Sequence, residues 1–254
     1  MQAIKVKNVT LGSGRPKIAV PITGKELPAV LTQAAGINAT NADLVEWRLD
    51  CFAPVTDFDQ VDAAATQLRQ RLADLPLLLT FRTHAEGGQQ PAKDEFYFQL
   101  LHHLVKKSLG DLLDVELFHD SEQIRQVITA AQHQQIKVVM SNHDFTKTPA
   151  ITEIQRRLKL MATLGADIAK IAVMPHSAQD VLKLLWATNA MKDQLNCPLI
   201  TMAMGDLGKV TRISGEVFGS CLTLGTVGAA SAPGQIQSQK LRQYLAALQL
   251  SSNA

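Results

Sequence analysis

A chain of 254 residues, 46% hydrophobic and 19% charged, carries enough apolar side chain for a large core and is not the composition of a disordered protein. A formal net charge of +2 with no basic block excludes the electrostatic footprint of a nucleic-acid or anionic-membrane binder. No apolar run reaches membrane-spanning length, and the opening Met1-Gln2-Ala3-Ile4-Lys5-Val6-Lys7 alternates where a signal peptide would be continuously apolar. The scattered Cys51, Cys197 and Cys221 read as buried thiols of a protein kept in a reducing cytoplasm.

In chain order, residues 4–9 with Gly12-Ser13-Gly14 read as a hairpin. Eight short apolar runs follow, at 18–22, 44–49, 77–81, 112–117, 136–140, 168–173, 199–204 and 222–227. Stretches of helical periodicity separate them. Leu68, Leu72 and Leu75 mark one apolar face, and Phe96, Leu100, Leu101, Leu104 and Val105 a second. Val181, Leu182, Leu184, Leu185 and Trp186 mark a third, and Leu241, Tyr244, Leu245 and Leu248 a fourth. Strands alternating with helices at this length predict an α/β fold, a (β/α)8 TIM barrel, with the N-terminal hairpin closing the bottom. An open doubly wound sheet is the runner-up, but no Gly-x-Gly-x-x-Gly follows the first strand. No linker or composition break divides the chain, so residues 1–254 are expected to form a single domain.

Active sites in this fold sit at the C-terminal ends of the strands. Read in order, those ends carry Glu46 and Arg48, Arg82 with Glu86, Asp114 and Glu116, His143, Lys170, then Met202 and Met204. Lys170 stands out. It lies within Ile168-Ala169-Lys170-Ile171-Ala172-Val173, where an ammonium must be paired or lose its proton. A neutral amine beside a histidine is equipment for attacking a ketone through a protein-bound imine. Strands five and six are neighbours in a parallel barrel, and alternation lets His143 and Lys170 both face inward.

Other features have plain structural readings as well. Glu46 and Arg48 share a face and form either a site or an ion pair, while Trp47 between them packs toward the helices. Glu86 either orients the His143 imidazole or is an ordinary loop charge. Arg212 either clamps a carboxylate or decorates a helix. The loop from Gly225 to Gln235 suits a phosphate cradle or a lid but lacks the ending of a P-loop. Asp114, Glu116 and His119 are metal ligands by type only. With no His-Glu-x-x-His or Cys-x-x-Cys pair, no metal and no cofactor are expected.

Asp114-Val115-Glu116-Leu117, twenty residues, then Val138-Val139-Met140-Ser141-Asn142-His143-Asp144 resembles the signature of the type I 3-dehydroquinate dehydratases, the Schiff-base enzymes of the shikimate pathway. Glu46-Trp47-Arg48, Phe81-Arg82, Glu86, Lys170, Met202-Ala203-Met204-Gly205, Arg212 and the loop with Ser231 and Gln235 extend the resemblance over nearly the whole chain. It implies syn elimination of water from 3-dehydroquinate through an imine on Lys170, with His143 as general base and acid and Glu86 orienting it. It further implies that Arg212, Ser231 and Gln235 hold the substrate carboxylate. Glu46, Trp47, Arg48 and Arg82 would supply ring contacts, and Met202 and Met204 apolar ones. A homodimer is the family-level expectation. One departure is Pro21, where some relatives carry a serine. Two rivals remain: a class I aldolase acting on a sugar phosphate, and a barrel that binds a polyol acid without turnover.

Overall fold

The computed structural model describes residues 2–228 and 232–251. Strands β1 (Ile4–Val6) and β2 (Val9–Leu11) pair antiparallel, with the turn at Lys7-Asn8. The expected hairpin is therefore present, but its turn lies before the Gly12-Ser13-Gly14 segment. Positive φ at Lys7 makes that tight reversal.

Eight parallel strands follow, each feeding a helix. They are β3 (Lys17–Ile22), α1 (Leu27–Ala35), β4 (Leu44–Arg48), α2 (Phe58–Leu72), β5 (Leu77–Thr80), α3 (Asp94–Lys106), β6 (Leu112–Glu116) and α4 (Ser121–His133). Next come β7 (Lys137–Asp144), α5 (Ile151–Thr163), β8 (Ile168–Val173), α6 (Ala178–Lys192), β9 (Leu199–Ala203), the short α7 (Lys209–Ile213) and α8 (Gly215–Phe218), and β10 (Leu222–Thr226). A two-residue β11 (Ile236–Gln237) pairs with β10 before α9 (Ser238–Ala247). Helix starts are capped where the sequence supplies oxygen: Asp57, Asp120 and Ser177 each accept N–H groups of the following turn.

The sheet runs β10-β3-β4-β5-β6-β7-β8-β9 and closes on itself where Cys221 N–H donates to the Leu199 carbonyl at 2.7 Å. Above that bridge β9 and β10 part. The N–H groups that a ladder would have used are taken by side chains, Thr201 by the Ser220 hydroxyl (3.0 Å) and Ala203 by the Thr211 hydroxyl (2.9 Å). The parting makes room for α7 at the rim.

At the opposite end a sequence repeat pins the register. Ala42-Asp43-Leu44, Gly110-Asp111-Leu112 and Ala166-Asp167-Ile168 each place an aspartate just before a strand. Each carboxylate accepts the first free N–H of the preceding strand, at Ile18 (2.7 Å), Leu77 (2.8 Å) and Val138 (2.9 Å). Between sheet and helices lies the main apolar layer, with Val45, Trp47, Leu79, Val115, Met140 and Ile171 facing Leu68, Leu101, Ile128 and Leu184. A second cluster fills the lower barrel: Ala19, Leu44, Leu78, Leu112, Val139, Ile168, Ile200 and Leu222, sealed beneath by Val6, Val9 and Leu11 of the hairpin. Two expected helix faces are corrected: on α9, Leu241 and Leu245 are buried, but Tyr244 and Leu248 are 37% and 46% exposed. On α6, Val181, Leu184 and Leu185 are buried, but Leu182 and Trp186 are 55% and 58% exposed, because the predicted face spans more of the helix circumference than one sheet covers.

Candidate active site

Strand alternation sorts the inward-facing residues by height. The first on each strand is apolar; the next include Glu46, Thr80, Asp114, Ser141, Lys170 and Met202; the last are Arg48, Arg82, Glu116, His143, Ala172 and Met204. The barrel is thus dry below and charged above. A pocket at this rim is lined by Glu46, Arg48, Arg82, Glu86, His143 and Lys170 on one side. Met202, Met204, Arg212, Ala232 and Gln235 line the other, and Phe145, whose ring lies against Gly87, borders the Glu86 side.

Lys170 is 3% exposed, and its Nζ lies 3.5 Å from Glu46 Oε1 and 3.4 Å from Asp114 Oδ2. Of the two alternatives raised by the sequence, pairing is the one seen. Burial would push the Glu46 carboxyl upward, yet Lys170, Arg48, Arg82 and the Thr80 hydroxyl hold it below its usual value. Ser141 pairs with Lys170 across the β7–β8 ladder and His143 pairs with Ala172, so His143 stands one inward position above the lysine on the adjacent strand.

His143 is held at two points by Glu86, which is itself anchored by Asn142. The Glu86 Oε2 atom accepts the His143 backbone N–H at 2.9 Å and lies 3.0 Å from Nδ1, while Oε1 accepts from Asn142 Nδ2 at 2.8 Å. Burial, with the positive charges of Arg82, Lys170 and Arg48, lowers the imidazole well below its ordinary pKa. Burial and the neighbouring Glu116 raise the Glu86 carboxyl to about 7 against the pull of Arg82.

Arg82 is the hub of this charge network. Its Nη1 donates to Glu116 (2.7 Å) and Ser141 (3.0 Å), its Nη2 donates to Asp114 (2.8 Å), and Glu86 is 3.6 Å away. It borders the pocket while its terminal nitrogens also hold these protein acceptors. Glu116, which burial alone would raise, is held down to about 2 by His119, Arg82 and Thr83. Arg48 is fixed by a bidentate pair with Asp50 at 2.8 Å for each bond, and Asp50 also accepts the N–H groups of Arg82 and Gln89.

Arg212, on α7, is 1% exposed and forms no ion pair among the described residues. Its Nη2 donates to the Pro233 carbonyl at 3.0 Å, its Nη1 faces the Met202 sulfur at 3.9 Å, and its Nε has no partner there. Burial lowers its pKa to about 10. A buried cation without an anion is a seat for one. Gly234, at φ +75°, packs against the Gly205 backbone, where an added Cβ would meet the carbonyl oxygen at 2.2 Å.

The structure gathers Lys170, His143, Glu86, Glu46, Arg48, Arg82, Met202, Met204, Arg212 and Gln235 around one pocket. Ser231 lies outside the described residues. Trp47 is corrected as a ligand contact: it is fully buried in the outer layer, edge-on to Phe52 at 5.5 Å, because alternation turns it away from its neighbours Glu46 and Arg48. Reading the sequence missed Asp50 and Phe145 and met Asn142 and Ser141 only as motif residues, because their parts depend on contacts between distant segments. Asp114 was visible as a motif residue but not as a lysine partner. Among the described residues no group of three His, Cys, Asp or Glu side chains is placed to hold a metal ion.

A family model described as type I 3-dehydroquinase matches residues 18–252. The chain belongs to the type I 3-dehydroquinase family. It is 53% identical over 248 residues to the 3-dehydroquinate dehydratase of Lactiplantibacillus plantarum, covering 98% of each chain. To that of Klebsiella pneumoniae it is 50% identical over 244 residues, covering 96% of this chain and 97% of the relative. Among solved structures, the Clostridium difficile type I 3-dehydroquinate dehydratase with covalently modified comenic acid superposes with TM-score 0.93 at 44% identity over 97% of each chain. The Geobacillus kaustophilus enzyme gives TM-score 0.94 at 38% identity over 97% and 96%. The family is one of hydro-lyases, and its fold is the barrel described above.

Proposed function

We propose that the chain dehydrates 3-dehydroquinate to 3-dehydroshikimate by syn elimination through an imine on Lys170, in the third step of chorismate and aromatic amino acid biosynthesis. One observation carries the residue assignment: a buried lysine on β8 with a glutamate-oriented histidine one position above it on β7. Once its ammonium has given up a proton, Nζ attacks the ketone carbon and the carbonyl oxygen leaves as water. The resulting iminium draws electrons from the neighbouring carbon. His143 takes the proton from that carbon, giving an enamine. It returns the proton to the departing hydroxyl on the same face, and a second water hydrolyses the imine. Glu86 holds the imidazole, Arg212 with Ser231 and Gln235 holds the substrate carboxylate, and Glu46 and Arg48 meet the ring hydroxyls. Met202 and Met204 pack on the ring. The aldolase rival needs a phosphate cradle, whereas among the described residues of the pocket the unpaired cation is a single arginine, the complement of one carboxylate.

Borohydride added with dehydroquinate should trap a reduced adduct that maps to Lys170, and Lys170→Ala should lose both adduct and enone formation. Turnover by the alanine variant would overturn the assignment. His143→Ala should slow turnover by about 10²–10⁴-fold, the usual share of general acid–base catalysis, while leaving the adduct. We further propose that residues 1–254 act as one domain, without a cofactor, as a cytoplasmic homodimer. Sedimentation at the 27.6 kDa monomer mass would reject the dimer.

A further inference from the structure

Helix α5 packs outside the barrel, yet one of its side chains reaches the proton-bearing end of the pocket. Arg157 Nη1 donates to Asn142 Oδ1 at 2.7 Å. The guanidinium is itself fixed, with Nε on Glu153 Oε1 at 2.7 Å and Cζ 5.2 Å from the Phe118 ring centroid. Asn142 is 3% exposed and passes the contact on from Nδ2 to Glu86 Oε1 at 2.8 Å, and Glu86 Oε2 meets His143 Nδ1 at 3.0 Å.

Donor and acceptor identity makes this chain directional. Arginine has no acceptor, so the Asn142 oxygen must face it and the amide nitrogen must face Glu86. Glu86 Oε1 is then obliged to accept, and any proton on the carboxyl resides on Oε2. We propose that Arg157 is a positioning residue that locks the Asn142 carboxamide and so confines the mobile proton of the site to the seam between Glu86 Oε2 and His143 Nδ1. The seam has two states. With the proton on Oε2 and donated to Nδ1, the ring's own proton sits on Nε2 and the base is blocked. With Glu86 ionised, Nδ1–H points at Oε2 and Nε2 is free toward the pocket.

The charges facing the seam are Arg82 from the end of β5, Glu116 from β6, Lys170 from β8 and Arg48 from β4; Arg157 acts from α5 through Asn142. Asp144, next along β7, has its Oδ1 committed to Thr146 and the Lys147 N–H. Without Arg157 the amide can turn its oxygen to Glu86, which disfavours the ionised carboxylate and raises the pKa of the pair.

The inference rests on His143 acting as base in the proposed dehydration. Arg157→Met should lower kcat about tenfold with KM changed less than about twofold, the loss of one charge-assisted hydrogen bond acting on the chemical step. The acidic limb of the pH profile should move upward by about half a unit or more. Arg157→Lys, which keeps a donor, should recover much of both. In an Asn142→Ala background the Arg157→Met effect should vanish, since the route through the amide is already cut. A wild-type limb in Arg157→Met, or an undiminished effect in the Asn142→Ala background, overturns the proposal. Imidazole nitrogen shifts of His143 by NMR give the same answer without turnover: Arg157→Met should raise the midpoint at which Nε2 loses its proton. If the unaltered chain failed to dehydrate the substrate, the dehydratase reading would fall while those shifts still tested the positioning.

Discussion

His143 and Glu86 hold a single exchangeable proton between them. The imidazole is depressed by burial and by three cations, and the carboxyl is raised to about 7 by burial and Glu116, with 3.0 Å between Oε2 and Nδ1. They therefore titrate as a pair. Below that midpoint the pair keeps its extra proton and Nε2 is occupied; above it, Nε2 is free to accept a substrate proton. Accordingly kcat/KM should rise with pH through about 7, by about tenfold per unit on the acid side, and then level. A rate profile flat across that range would show that the pair is not the base. Lys170 was legible as an anomaly because an ammonium among five apolar or β-branched residues violates the pattern of a buried strand. Its partners were less so. Glu46 and Asp114 lie on β4 and β6, 124 and 56 residues away in sequence, and only closure of the barrel directs them at one nitrogen. Arg82 shows the same dependence: it lines the pocket, and only barrel closure brings Asp114, Glu116 and Ser141 onto its terminal nitrogens.

At the scale of elements, period-two alternation makes the inward set readable in the sequence, and it is the same rule that removes Trp47 from the pocket. The apolar run at 136–140 understated β7, which continues to Asp144 because its polar residues pair with Lys170–Val173 of β8. Ladder pairing, not hydrophobicity, extends the strand there. The small-Asp-aliphatic repeat ahead of β4, β6 and β8 was present in the sequence and passed unread, since three residues at spacings of 68 and 56 are not an obvious period. The segment that ends the eighth-strand loop rests on the contact of Gly234 with Gly205, and it carries Ala232 and Gln235 to the pocket. Gly234→Ala would place a methyl group on the Gly205 carbonyl at a backbone angle that L residues rarely adopt. Strain of that kind displaces the segment and not the strands. KM should rise by on the order of tenfold while trapping at Lys170 by saturating substrate persists. A fall in kcat with unchanged KM would instead assign the segment to the chemical step.

Across the molecule, stability and chemistry are divided between the two ends of the barrel. The lower interior is apolar and sealed by the hairpin, with Leu11 1% exposed among Ala19, Leu44, Leu112 and Leu222. The upper interior holds the charged residues, whose mutual pairing tolerates burial but adds little net stability of its own. The dry floor must therefore carry the folding free energy that allows the rim to stay charged. Leu11→Ala removes three carbons from that floor, at the end of the barrel opposite the charged rim. It should lower the unfolding free energy by about 2–5 kcal/mol, the range for buried leucine truncation. Urea denaturation would show this as an earlier midpoint with an unchanged slope. At temperatures where the variant is fully folded, kcat and the Lys170 adduct should match those of the parent chain. A proportionate loss of activity in that folded variant would mean that the hairpin sets the geometry of the rim, not only the stability beneath it.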